Sequence, residues 1–283
     1  MFSFNTNFLR ASLIAAAAFC STGAMATTVI GTLNSFGTGD SITLHAVTPG
    51  GTPIAQQVLS GVASFSRTGG TEAATLSGPN SGSYYAFCIE PFESTSIGSN
   101  YTYTVAPLTD GASSSIVGGL GATKATQIAE LFGQFAPNLA SPLSAVQASA
   151  LQIATWEIVG EASTNALNVL SGNLFFSTPA SADFNDVITL AQSYLNYVTS
   201  ANGLGAQAQG LQALTISGKQ DFLVQTVSAA PEPATWMTMI LGFGLIGYAL
   251  RARRGNAAAT ANPSEATGRA PLSPDPSSAR RTA

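Results

Sequence analysis

The chain of 283 residues carries 10 Lys and Arg against 14 Asp and Glu, a net charge of −4, and only 8% of its residues are charged, where about a quarter is usual in soluble domains. Between the two terminal segments described below, three cations (Arg67, Lys124 and Lys219) face eleven acids, so no basic patch can be built and a nucleic-acid partner is excluded. With one histidine, and one cysteine beyond the leader, a zinc site of the usual His/Cys type cannot be assembled. No nucleophile elbow marks a Ser-His-Asp hydrolase, and no cofactor is implied.

Residues 1–26 have the layout of a secretory signal. Arg10 is the early cation, Leu13 to Cys20 the apolar run, and Ala24-Met25-Ala26 an A-x-A site that predicts cleavage before Thr27. The apolar run is far shorter than the roughly 20 residues of a membrane span. The expected partner at this stage is the Sec translocon, and the expected body, residues 27–229, is extracytoplasmic.

From Thr27 to Val105 the chain reads as strands: Thr28–Thr32, Ser41–Val47, Gln56–Ser66, Tyr84–Ile89 and Tyr101–Val105. Gly37-Thr38-Gly39-Asp40, Pro49-Gly50-Gly51, Gly69-Gly70 and Gly78-Pro79-Asn80 are the turn signals between them. His45 falls in the second run and is read as a histidine on a half-buried strand. Helical patterns follow at Thr126–Phe135, at Pro142–Val159 with Ser141 as N-cap and Pro142 in the first turn, and at Asp183–Val198. Leu214–Ser217 and Phe222–Ser228 return to strand. The predicted class is α+β: a β-rich first half, a helical insert, and final strands that complete the first sheet.

Trp236 to Leu250 is uncharged, opens on an aromatic residue and ends against Arg251, Arg253 and Arg254. Its 15 residues predict a short single transmembrane helix, with Trp236 at one interface and the arginines on the cytoplasmic side. Pro231-Glu232-Pro233, this apolar stretch and the basic cluster together (residues 230–254) resemble the PEP-CTERM sorting signal of Gram-negative bacteria. The resemblance implies an exosortase, a membrane cysteine protease of transpeptidase type, as the processing partner, with the Pro-Glu-Pro motif as its recognition element. Residues 255–283 form a Pro/Ala/Ser-rich tail without apolar periodicity, expected to be disordered and cytoplasmic.

Cys88, in Tyr84-Tyr85-Ala86-Phe87-Cys88-Ile89, is an odd cysteine in an oxidising compartment. An inert buried thiol, an intermolecular disulfide and a thiol consumed in another bond are the open readings. In Leu151-Gln152-Ile153-Ala154-Thr155-Trp156, helical spacing puts Ala148, Gln152 and Trp156 on one face, and by spacing alone Gln152 belongs at the rim. The two motifs together resemble the thioester domain of bacterial surface adhesins. That resemblance implies Cys88 as sulfur donor, Gln152 as acyl donor and Trp156 packed over the bond.

The expectation is therefore an exported, non-enzymatic envelope or matrix protein that attaches to a surface polysaccharide or protein, anchored at the inner membrane before processing and found at the outer surface or outside the cell afterwards. The competing expectation is a secreted hydrolase of glycosidase type using Glu90 with Glu93 or Asp183 with Asp186.

Overall fold

The structure, a computed structural model, describes residues 26–47, 51–113, 119–162, 165–177 and 183–227, and beyond them 237, 239–248 and 251. The leader up to residue 25, the motif Pro231-Glu232-Pro233, Trp236, Arg253, Arg254 and the tail 255–283 lie outside the described residues. By its internal contacts the chain divides into two units, Met1–Ser228 and Ala229–Ala283.

In the first unit, β1 (Thr28–Val47) and β2 (Pro53–Gly69) form a long antiparallel hairpin. β4 (Ser83–Cys88) pairs with β2, β5 (Asn100–Pro107) pairs with β1, and β7 (Leu211–Thr215) and β8 (Phe222–Val227) bridge the gap between β5 and β4. The circuit β1-β2-β4-β8-β7-β5 returns to β1, so the final strands complete the first sheet, as expected, and close it into an antiparallel barrel. Two short strands lie off it: β3 (Thr75–Leu76) on β8, and β6 (Leu174–Ser177) on the far end of β1. Val29, Leu33, Phe65, Tyr84, Tyr103 and Phe222 are buried among the strands. Phe65 stacks on Tyr84 at 5.0 Å, while Tyr103 and Phe222 meet it edge-on.

The expected turn at Gly37–Asp40 does not form. β1 runs through it with a register shift between Phe36 and Gly39, and a Cβ at Gly39 would overlap the Ser60 carbonyl of β2. The glycines here let two backbones close up in a bulge, which bends the hairpin instead of ending the strand.

Three helices pack together, α1 (Gly121–Phe135), α2 (Ala145–Gly160) and α3 (Phe184–Ala201), with α2 seated on the strands. α2 starts three residues later than the sequence suggests, because Ser144 rather than Ser141 caps it. The Ser144 hydroxyl accepts the Gln147 N–H at 3.2 Å, and the Gln147 side chain accepts the Ser144 N–H at 3.0 Å, a reciprocal capping box. α3 ends where Asn202 takes the left-handed conformation, φ 47°.

α1 and α3 meet through Phe135 stacked on Tyr194, ring centroids 3.9 Å apart. α2 contacts α1, α3, β1, β2 and β4. Every residue from Ala148 to Val159 is buried. A helix with this many neighbours has no solvent rim, which corrects the placement of Gln152 at one.

In the second unit, residues 239–248 are helical and their large apolar side chains, from Met239 to Tyr248, are exposed. Among the described residues no helix is long and apolar enough to cross a membrane.

Candidate functional site: the opened seam between β2 and β4

The β2–β4 ladder runs from Ser66 opposite Ser83 to Ala63 opposite Ala86. Continued by two more residues it would set Gly61 against Cys88, but α2 enters there instead. The Cys88 N–H donates to Oε1 of Gln152 at 2.9 Å, and Nε2 of Gln152 donates to the Cys88 carbonyl at 2.7 Å. On the other lip, the Ser149 hydroxyl donates to the Ser60 carbonyl of β2 at 3.0 Å. Ser149 and Gln152 stand one turn apart on the same helix face. Together they bond the main chain that the parting strands leave open in a dry core, where an unpaired group is costly.

The paired donor and acceptor of Cys88 fix the orientation of the carboxamide, since only Oε1 can face an N–H and only Nε2 a carbonyl. Cys88 is 1% exposed and Gln152 0% exposed. Burial pushes the Cys88 thiol well above its ordinary range, so it is held as a thiol and not a thiolate. Trp156, one turn beyond Gln152, is buried and stacks on Phe176 at 6.3 Å, and its indole N–H has no hydrogen-bond partner among the described residues. The three residues that the sequence singled out are thus in one place, with Ser149 completing the arrangement.

Cys88 and Trp156 also line a cavity of about 380 Å³, together with β2 residues from Gln56 to Leu59 and the loop Pro91 to Thr95. Gln56 ties that loop to β2 through Nε2 to the Pro91 carbonyl at 2.6 Å, and Thr95 ties it to Gln220 at 3.2 Å. Burial first, and the nearby Asp221 carboxylate second, raise the Glu93 carboxyl, with Lys219 opposing.

Of the carboxyl pairs named for a hydrolase, Glu90 is buried and Glu93 half-buried, while Asp183 and Asp186 are exposed at the start of α3. His45 is half-buried on β1, as the sequence suggests. It stacks on Phe175 at 4.7 Å, with Nε2 2.7 Å from the Ser177 hydroxyl on β6.

A second buried polar group went unnoticed in the sequence. Glu157 accepts the Asn168 N–H at 2.8 Å, and Glu161 accepts main-chain N–H groups of Ala162 and Asn173. Burial raises the Glu157 carboxyl to about 8, the Asn168 hydrogen bond opposing and Glu161 adding to the rise. Two carboxyls four apart, at the apolar end of a helix that also carries a tryptophan, were the available signal. They organise the loop from α2 to β6.

Residues 229–254 match the PEP-CTERM protein-sorting motif. The matched block contains Pro231, Glu232, Pro233, Trp236, Arg251, Arg253 and Arg254. No curated protein and no solved structure matches the chain.

Proposed function

We propose that this chain, an exported protein sorted by an exosortase through its PEP-CTERM motif, is an adhesin or matrix protein whose body attaches covalently to a surface partner through a Cys88–Gln152 thioester. The observation that carries the reading is the mutual bonding of Cys88 and Gln152, 64 positions apart, in the core.

The chemistry balances as follows. The Cys88 sulfur attacks the Gln152 amide carbon, the C–S bond forms, the C–N bond breaks, and the thiol proton leaves with the nitrogen as ammonia. The Cys88 N–H on Oε1 supports this step, because it lies where negative charge develops on the carbonyl oxygen. A nucleophile on the partner then takes the acyl group and returns the proton to sulfur. Until then, burial of the pair keeps water from the bond.

In the same reading, residues 236–250 span the inner membrane before processing, with Arg251, Arg253 and Arg254 on the cytoplasmic side. Intact mass of the mature protein tests the bond. Loss of about 17 Da relative to the sequence, absent in Cys88→Ala, is the expected result. An unshifted mass, with no mass gain on treatment with methylamine, overturns it.

A further inference from the structure

The cavity beside Cys88 is not explained by the sorting motif, and the thioester reading leaves its lining unused. Its walls carry three side-chain amides (Gln56, Gln57, Gln220), the hydroxyls of Ser94 and Thr95, the rings of Phe36 and Phe92, and one carboxylate, Glu93. We propose that this cleft is a binding site for a segment of neutral glycan.

Among the described residues the lining contains no Lys, Arg or His, which disfavours an anionic ligand because no cation there offsets its desolvation. Its volume of about 380 Å³ lies within the roughly 300–1,000 Å³ of small-ligand sites. Amide side chains each present a donor and an acceptor, the pairing that adjacent sugar hydroxyls satisfy. Gln220 is already held, accepting from Thr95 at 3.2 Å, so part of the wall is fixed before a ligand arrives. Phe36 and Phe92, both half-buried, supply the apolar surface that the C–H face of a sugar ring covers.

An extended peptide is the other occupant to consider, because β2 has no strand partner on this side before Ala63 among the described residues. Strand addition needs open main chain along that edge. Here the Ser60 carbonyl is taken by Ser149, and Gln56 reaches across to Pro91. Side chains cross the edge at both ends of the cleft.

The site does not depend on a thioester, and its test separates the two. The chain has two tryptophans, so Trp236→Phe in the mature protein leaves Trp156 as a single fluorophore in the cleft wall. This protein is titrated with hexasaccharides of β-1,4-glucose, α-1,4-glucose and β-1,4-N-acetylglucosamine, with hexagalacturonate and an unstructured Gly/Ser peptide as the acidic and peptide arms. A saturable change in emission with at least one neutral sugar, and none with the other two arms, is the expected result. Gln57→Ala, at an exposed position, and Phe92→Ala should each weaken it about three- to tenfold. Treatment with methylamine, which opens a thioester without altering any residue of the cleft lining, should leave the sugar response as it is in the untreated protein. The proposal is overturned by the absence of any saturable change with the neutral sugars, by a response unaltered in both cleft variants, or by binding of the peptide or acidic arm alone.

Discussion

The Gln152 carboxamide faces Cys88 in the way that the main chain of Ala63 faces Ala86 two residues earlier on β4. A helix side chain takes over a strand's hydrogen bonds at the point where two strands part. The arrangement explains why a glutamine is tolerated in the most enclosed helix of the body, and it places the amide carbon beside the residue that carries the thiol. Structural and chemical roles therefore share one set of atoms, and the following measurements separate them from one another.

Removing the carboxamide should be expensive. In Gln152→Ala the Cys88 N–H and carbonyl both lose their partner in a dry core, at about 1–3 kcal/mol each. Ser149→Ala frees one carbonyl and should cost roughly 1 kcal/mol. Urea unfolding of the two variants gives the comparison. A Gln152→Ala midpoint no lower than that of Ser149→Ala would remove the ladder role from Gln152.

Stability should fall as pH rises toward 8. The Glu157 carboxyl is raised from 4.5 to about 8 in the folded chain, so folding retains a proton that the unfolded chain releases between those values. Its contribution is fully present below about pH 4.5 and is lost on the way up through about 8, with a slope of at most about 1.4 kcal/mol per pH unit. Glu157→Gln keeps an oxygen for the Asn168 N–H and should flatten the profile. Thermal melts of both proteins from pH 5 to 8 check this, and parallel profiles would assign the slope elsewhere.

Inside the barrel, the Tyr84 hydroxyl is buried without a hydrogen-bond partner among the described residues, and a Cβ at Gly31 would overlap it. Tyr84→Phe removes an unsatisfied group and should leave stability unchanged or raise it by up to about 1 kcal/mol. Gly31→Ala alone should cost roughly 1–3 kcal/mol from overpacking, and less in the Tyr84→Phe background. Additive costs in this double-mutant cycle would mean that the two residues do not limit each other.

Processing should depend on the motif and not on the body. Glu232→Ala is expected to be exported normally while an uncleaved, membrane-bound form accumulates, as read by fractionation and immunoblotting. Wild-type processing of this variant would deny Glu232 a part in recognition.

Much of the local structure was legible because it rests on local chemistry. The runs around Tyr84–Cys88 and Phe222–Val227, and the apolar stripe of α3 through Val187, Ala191, Tyr194 and Val198, appear close to where periodicity puts them. Closure of the barrel was not legible, because it rests on β7 pairing with β5 and β8 with β4, between segments far apart in the chain. At Gly37–Asp40 the sequence predicts a turn where the strand instead bulges, since glycine signals positive φ and close backbone approach with the same letter. β6 was missed altogether: four residues, Leu174 to Ser177, owe their strand to the waiting edge of β1. The pairing of Cys88 with Gln152 was visible as two motifs. Burial of Gln152 was not, because Ser149 and Thr155 read as polar neighbours and only the fold shows their hydroxyls bonded inward, to Ser60 and to Leu151.

The order of strands around the barrel also sets a timetable. β1 begins two residues after Ala26, yet the ring has a gap between β4 and β5 until β7 and β8 arrive, the latter ending at Val227. A chain that folds from its N-terminus therefore holds an open sheet until β7 and β8 are present. The last ladder needs residues up to Val227, two before the sorting block at 229, so a chain cut short anywhere ahead of that block lacks the strands that close its barrel.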